Sequence, residues 1–476
     1  MNAADLFALL PLLLTAGTAV LVMLAIAIVR NHALSLWITL VGLAASFASL
    51  WPIERLLPRQ ITVLLILDRY SVFYFGLILA ATFVVSLLCY GYLKIHAERR
   101  EELYVLLTVA ALGSMVLVAS SHFVSFFLGL EILSVALYGL AAYLATYRRS
   151  VEAGIKYLIL AGSSSAFLLF GMALIYAQLG TMELARIATL VTTIPNNPLI
   201  LVGLVLIITG IGFKLGVVPF HLWTPDVYQG ASAPVTAFIA TVSKGAIFAL
   251  LLRYFYSSGA QSIRPVFVVF AIVAIASMIV GNLLALLQNN VKRILAYSSI
   301  AHMGYLLVAF EAGGSMASRA IAFYLVAYFI TTLGAFGVIT VLSDTERDAD
   351  ALVDYRGLFW RRPVLASIFT VMLLSLAGIP LTAGFLAKFY VVAAGVSGAA
   401  WVLVFVLVTS SVIGLFYYLR VLVTMYTRTS DVFPSQPAFH PAGAVLISLT
   451  VLLVWLGVYP AVLLDLVRTV LPISGG

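Results

Sequence analysis

Long apolar runs follow one another along the chain, separated by short polar or Gly/Pro-rich breaks. Fourteen such runs can be marked, at 6–29, 33–52, 70–93, 103–119, 123–145, 153–178, 198–218, 233–256, 265–287, 294–310, 318–342, 363–394, 400–426 and 441–463. A helix needs roughly 20 apolar residues to cross the hydrocarbon core of a bilayer. The pattern therefore predicts an all-α polytopic membrane protein of about fourteen spans. The first run is too long for a signal-peptide core, lacks a basic flank and passes straight into a second span, so it reads as a retained helix.

Two runs contain breaks. Gly210-Ile-Gly-Phe-Lys-Leu-Gly-Val-Val-Pro219-Phe-His221 in the seventh and Gly378-Ile-Pro380-Leu-Thr-Ala-Gly384-Phe-Leu-Ala-Lys388 in the twelfth each combine glycine, proline and a lysine. Proline removes a backbone donor and clashes with the preceding turn, so the freed carbonyls must face protein or water rather than lipid. Such broken helices line cavities. The breaks lie five spans apart, which predicts an inverted repeat of spans 4–8 and 9–13. The expected division is an N-terminal three-helix segment (1–100), a first repeat (101–260), a second, inverted repeat (261–430) and a C-terminal helix (431–476).

Connections after odd-numbered spans hold Arg30; Lys94, Arg99 and Arg100; Arg148 and Arg149; Lys292 and Arg293; Arg347, Arg356, Arg361 and Arg362; and Arg428. Those after even spans hold fewer. The positive-inside tendency puts the odd connections in the cytoplasm and both termini on the outer side of the membrane. Composition agrees, with 63% hydrophobic and 9% charged residues, a balance that would aggregate as a soluble globule. The net charge of +8 is spread over short connections and never forms a basic domain, which argues against a nucleic-acid partner. A lone Cys89 excludes an intrachain disulfide, and no Cys/His spacing suggests a metal, haem or iron–sulfur site. No phosphate loop or nucleophile motif appears either, so redox chemistry belongs to other chains.

What stands out is charge inside the spans. Each residue at the bilayer centre costs about 2.5–3.5 kcal/mol on insertion scales, and several together roughly 10 kcal/mol, so they should face one another or water. Lys244 has apolar neighbours on both sides and no membrane surface within reach; the bland alternative is a merely hydrogen-bonded lysine. Glu131 is mid-span, where an unpaired carboxylate would simply protonate. Lys214 lies beside the Pro219 break, although it could instead reach outward to the interface. Lys388 follows the Pro380 break, with an interfacial anchor as its alternative. Lys156 stands four residues after Glu152 and could make an ordinary helical ion pair. His221 is either an interfacial histidine or a member of a water chain. His32, His96, His122, His302 and His440 are expected in loops or at helix ends.

A buried ammonium is favoured by a nearby carboxylate and disfavoured without one. Moving Glu131 toward or away from Lys214 would therefore switch that lysine between holding and releasing a proton. The expected order is then bound water and His221, Lys244, and Lys388 in the outer half of the membrane.

Two long motifs point to a family. Phe213-Lys-Leu-Gly-Val-Val-Pro-Phe-His-Leu-Trp-Thr-Pro-Asp-Val-Tyr-Gln-Gly-Ala-Ser-Ala-Pro-Val-Thr-Ala-Phe238 and Asn290-Val-Lys-Arg-Ile-Leu-Ala-Tyr-Ser-Ser-Ile-Ala-His-Met-Gly-Tyr305 resemble the subunit N family of complex I, the proton-pumping NADH:quinone oxidoreductase. The likeness extends over essentially the whole chain. It implies an antiporter-like subunit of the membrane arm, a translocase component that moves protons without a cofactor of its own. Sister antiporter-like subunits, lipid and protons would be its partners, with FMN, iron–sulfur clusters and the quinone site on other subunits. By motif, Glu131, Lys156, Lys214, Lys244 and Lys388 match the family's charged residues on helices five, six, seven, eight and twelve. Lysine in the twelfth span separates the chain from the sister subunit resembling M, and an end near residue 476 separates it from the long extension of the one resembling L. The Gln229-Gly-Ala-Ser-Ala-Pro234 stretch departs from the commonest form of the motif in small residues only. Two rival readings remain, an Mrp-type sodium/proton antiporter subunit and a non-conducting scaffold.

Overall fold

A computed structural model of the chain describes residues 2–96, 99–194, 196–257, 264–344, 347–428 and 441–469. It is almost entirely helical, with one two-stranded hairpin pairing Arg59–Ile61 against Leu65–Leu67. Among the described residues, eleven helices are long and apolar enough to cross a membrane, twelve if the pair bent by 80° near Val458 is one span. The expected count was fourteen. The difference lies in Glu102–Val118, which has 17 residues, and in Pro363–Ala377 and Ala383–Ser397, which the Gly378–Pro380 break leaves as two short helices. An amphipathic helix, Leu184–Thr193, lies in what the hydropathy pattern assigns to a connection. His440 and the expected boundaries near 260 and 430 lie outside the described residues.

The most deeply covered elements are Ala233–Phe255, Val291–Ala312 and Gly314–Leu342, which carry Lys244, His302 and Tyr328 respectively. More peripheral helices turn large apolar side chains outward, such as Trp401, Phe405 and Phe416 on Trp401–Tyr426. Such a surface is stable only in hydrocarbon or against another membrane protein. Close packing uses small residues. A Cβ on Gly113 would come within 2.6 Å of the Leu133 nitrogen, and one on Gly129 within 2.7 Å of the Leu117 nitrogen. The helices Glu102–Val118 and Phe123–Ala141 therefore meet backbone to backbone.

Two buried ion pairs tie this arrangement together. The guanidinium of Arg253 forks onto Asp68 at 2.8 and 3.0 Å and also donates to Val118 O and Ser71 Oγ. This fixes the end of helix Lys244–Ser257 to the start of helix Arg69–His96. Lys292, fully buried, donates to Asp348 and to the backbone oxygen of Ala231, both at 2.6 Å. Asp348 also accepts from Tyr92 at 2.7 Å and Ser343 at 3.1 Å. Beside it, Asn290 holds Asp350 and Arg293 holds Asp226. The first turn of helix Val291–Ala312 thus gathers the 343–357 connection, helix Arg69–His96 and the Trp223–Gly230 helix.

Candidate functional site

The first break begins where helix Pro198–Leu215 ends on Gly216, whose φ of +69° is a left-handed conformation natural to glycine. The indole of Trp223 donates to the freed Phe213 carbonyl at 2.8 Å. Two residues before the glycine, Lys214 is 2% exposed and donates to Ser134 Oγ at 2.6 Å. Ser134 stands one turn from Glu131 on helix Phe123–Ala141. Glu131 itself is only half-buried and accepts from Ser165 at 2.6 Å. Lys214 and Glu131 thus share a neighbourhood but not an ion pair, because the serine hydroxyl stands in the lysine's path.

Lys244 is wholly buried. It follows a π-helical turn, Ile239–Ser243, a feature often found beside functional residues. Its Nζ donates to Ser299 Oγ at 2.8 Å and lies 5.4 Å from the centre of the Tyr228 ring. A Cβ on Gly216 would stand 3.4 Å from that nitrogen, so Lys244 packs against the first break.

The second break repeats the device with its own lysine. Helix Pro363–Ala377 ends on Gly378, φ +85°, and Ala383–Ser397 resumes after it. Lys388, half-buried, reaches back to donate to Ala377 O at 2.9 Å and to Ser411 Oγ at 2.8 Å, with its Nζ 5.2 Å from the Tyr305 ring centre. Gly378→Ala should lower the thermal midpoint of the purified complex. The left-handed backbone costs an L residue roughly 1–2 kcal/mol, and the new Cβ would stand 2.8 Å from Lys388 Cδ. An unchanged midpoint would show that the break relaxes freely.

Between the two lysines stands a residue that the hydropathy pattern misplaces. His302 was expected at a helix end, yet it lies mid-helix in Val291–Ala312, nearly fully buried. Its Nδ1 is 2.7 Å from the Tyr324 hydroxyl and its Nε2 3.4 Å from that of Tyr418. Ser299, one turn earlier, receives Lys244 and also the Tyr328 hydroxyl at 2.7 Å, and Ser298 lies 2.5 Å from Tyr418 OH. The rings of Tyr328 and Tyr305 lie 5.5 and 5.4 Å from the imidazole. The signal was present in the Tyr-Ser-Ser-Ile-Ala-His302 spelling, polar groups at helical spacing inside an apolar run.

The remaining candidates separate. Lys156 pairs with Glu152 and with Asp226, both at 2.8 Å, and is substantially exposed. Asp226 shares its other oxygen with Arg293. His221 is buried at the first break, and its Nδ1 has no protein partner. His32, His96 and His122 stand at helix ends. Among the described residues no cluster of His, Cys, Asp and Glu could hold a metal ion.

The family described as NADH:quinone oxidoreductase/Mrp antiporter, TM, matches residues 120–414, the stretch that contains both breaks and all the buried lysines above. NADH-quinone oxidoreductase subunit N of Nitrosospira multiformis is 53% identical, covering 98% of this chain and 96% of that protein. The chain belongs to this subunit N family. Subunit N of Ectopseudomonas mendocina is 50% identical, over 98% of this chain and 97% of its own length. Among solved structures, a chain of respiratory complex I from Thermus thermophilus with bound aureothin aligns with a TM-score of 0.82 at 32% identity, covering 96% of this chain and 98% of that one. Membership in the family makes the protein a multi-span membrane subunit of an oxidoreductase complex.

Proposed function

We propose that the chain carries protons across the bacterial inner membrane as the N subunit of NADH:quinone oxidoreductase. Its termini would be periplasmic, sister antiporter-like subunits would be its neighbours, and no cofactor would be its own. The observation that carries this reading is the set of polar groups between the two breaks. Ser299, Tyr328, Tyr324, Tyr418 and His302 stand between Lys244 and Lys388 in a deeply buried part of the molecule.

A lysine can hold or release a proton, and a hydroxyl or imidazole can pass one on. Glu131 would bias Lys214 through its charge, across Ser134. From Lys214 the proton would move past the first break, where His221 Nδ1 and Thr224 Oγ1 are buried without protein partners and so call for water. Lys244, His302 and Lys388 would complete the path. Like charges on adjacent lysines would favour release at the far side. Lys156, already held by two carboxylates, would position the Trp223–Gly230 helix and carry no proton.

The test is the number of protons pumped per electron in inverted membrane vesicles carrying His302→Leu, with assembly checked in parallel. A lower ratio in an assembled complex is expected. An unchanged ratio would remove the imidazole from the path.

A further inference from the structure

Asn282 is fully buried on helix Arg264–Leu286, which packs against helix Val291–Ala312 and brings the amide within reach of two tyrosines. Its Nδ2 donates to Met278 O at 2.8 Å and to the Tyr305 hydroxyl at 2.9 Å, while its Oδ1 accepts from the Tyr417 hydroxyl at 3.0 Å. The Met278 carbonyl can only accept, which fixes the side of the amide that carries nitrogen. Both amide protons are therefore committed. Tyr417 points its proton at Asn282, Asn282 points one at Tyr305, and the Tyr305 proton must be directed elsewhere.

The tyrosines on either side belong to the two ends of the proposed path. Tyr305 lies under the Lys388 ammonium, 5.2 Å from ring centre to nitrogen. Tyr417 packs on Tyr418 with ring centres 4.3 Å apart, and Tyr418 reaches Ser298 and His302. A second line of hydroxyls thus approaches Lys388 from His302, and Asn282 is the one amide in it. A hydroxyl accepts a proton at one position and releases another. An amide nitrogen has no lone pair free to accept one, so the line stops there.

We propose that Asn282 is a proton stop. It is a positioning residue that orients Tyr305 beneath Lys388 and interrupts the Tyr418–Tyr417–Tyr305 line, so that transfer between the lysines does not use this line. The inference rests on the proton path proposed above. Asn282→Asp keeps the shape but replaces the amide by a carboxyl group, which can take a proton from Tyr417 on one oxygen while releasing one to Tyr305 from the other.

The experiment imposes a pH difference across inverted vesicles containing the assembled complex, without NADH, and follows its decay. Asn282→Asp should collapse the gradient roughly tenfold faster than the unaltered complex, equivalent to lowering one transfer barrier by about 1.4 kcal/mol. Adding Tyr417→Phe, which removes the feeding hydroxyl, should restore tightness, an effect that a purely structural role for Asn282 would not produce. Asn282→Ser, whose hydroxyl also accepts and donates, should leak in the same way and serves if the aspartate variant does not accumulate. Assembled Asp and Ser variants as tight as the unaltered complex would overturn the proposal, as would a leak that persists with Tyr417→Phe. Lys244→Met vesicles driven by NADH separate the two failures: normal pumping there removes the path itself, whereas impaired pumping beside tight Asn282 variants removes only the stop.

Discussion

Lys244→Met should leave the complex assembled and lower proton flux through this subunit by a factor on the order of 10², the scale of losing a positioned proton-transfer group. Methionine nearly fills the volume of lysine, so packing around the π turn survives. No acid pairs with Lys244 among the described residues; its hydrogen bond goes to Ser299, which keeps the Tyr328 hydroxyl when the ammonium is gone. Replacing a buried charge by an apolar side chain of similar size is often neutral or stabilising when no opposite charge is stranded. The measurement is proton-to-electron stoichiometry alongside quinone reduction and an assembly check. Unchanged stoichiometry in an assembled complex would leave Lys244 without a role in transport.

The same substitution at Lys292 should have the opposite character, removing the protein rather than its activity. Lys292→Met strands the Asp348 carboxylate, which among the described residues keeps hydrogen bonds from Tyr92 and Ser343. Breaking a buried pair on one side typically costs about 3–5 kcal/mol. The expected result is loss of assembled complex, or a markedly lower thermal midpoint, with partial recovery when Asp348→Asn is added. Burial pushes the Asp348 carboxyl up, but the Lys292 ammonium and its hydrogen bonds override this and hold it below the ordinary carboxylate range. A lowered value makes the contribution present at neutral pH and lost as pH falls through it. The gap between variant and unaltered complex should therefore close in acid. A Lys292→Met complex as stable as the original at neutral pH would show that the hub is dispensable.

Much of this was legible in the residues. Apolar runs gave the order and type of the helices because the bilayer allows little else, and the glycine–proline spellings located both breaks to within a few residues. Lys244 stood out because a cation far from any membrane surface contrasts with its surroundings, and Lys214 because it lies beside the Pro219 break. Lys292 was assigned to a connection because hydropathy sees a charged residue at the end of a run. Its burial depends on the 343–357 connection folding over it, a contact more than 50 residues away in sequence. His302 was discounted because histidine barely lowers the apolar average of its run, whereas its polar surroundings come from tyrosines on two other helices. Glu131 read as buried because its own helix is apolar, but the face that carries it is only partly covered in the isolated chain.

The two breaks are chemically unequal corners. At the first, an indole that never titrates holds the carbonyl of Phe213 together with the Gly216 amide. At the second, the carbonyl of Ala377 is held by the Lys388 ammonium. A charged donor makes roughly twice as strong a hydrogen bond as a neutral one. A neutral Lys388 would leave the backbone at that corner with part of its anchorage gone, while the other corner would not change. One corner is held by a group that never titrates; the other depends on the protonation state of its own lysine.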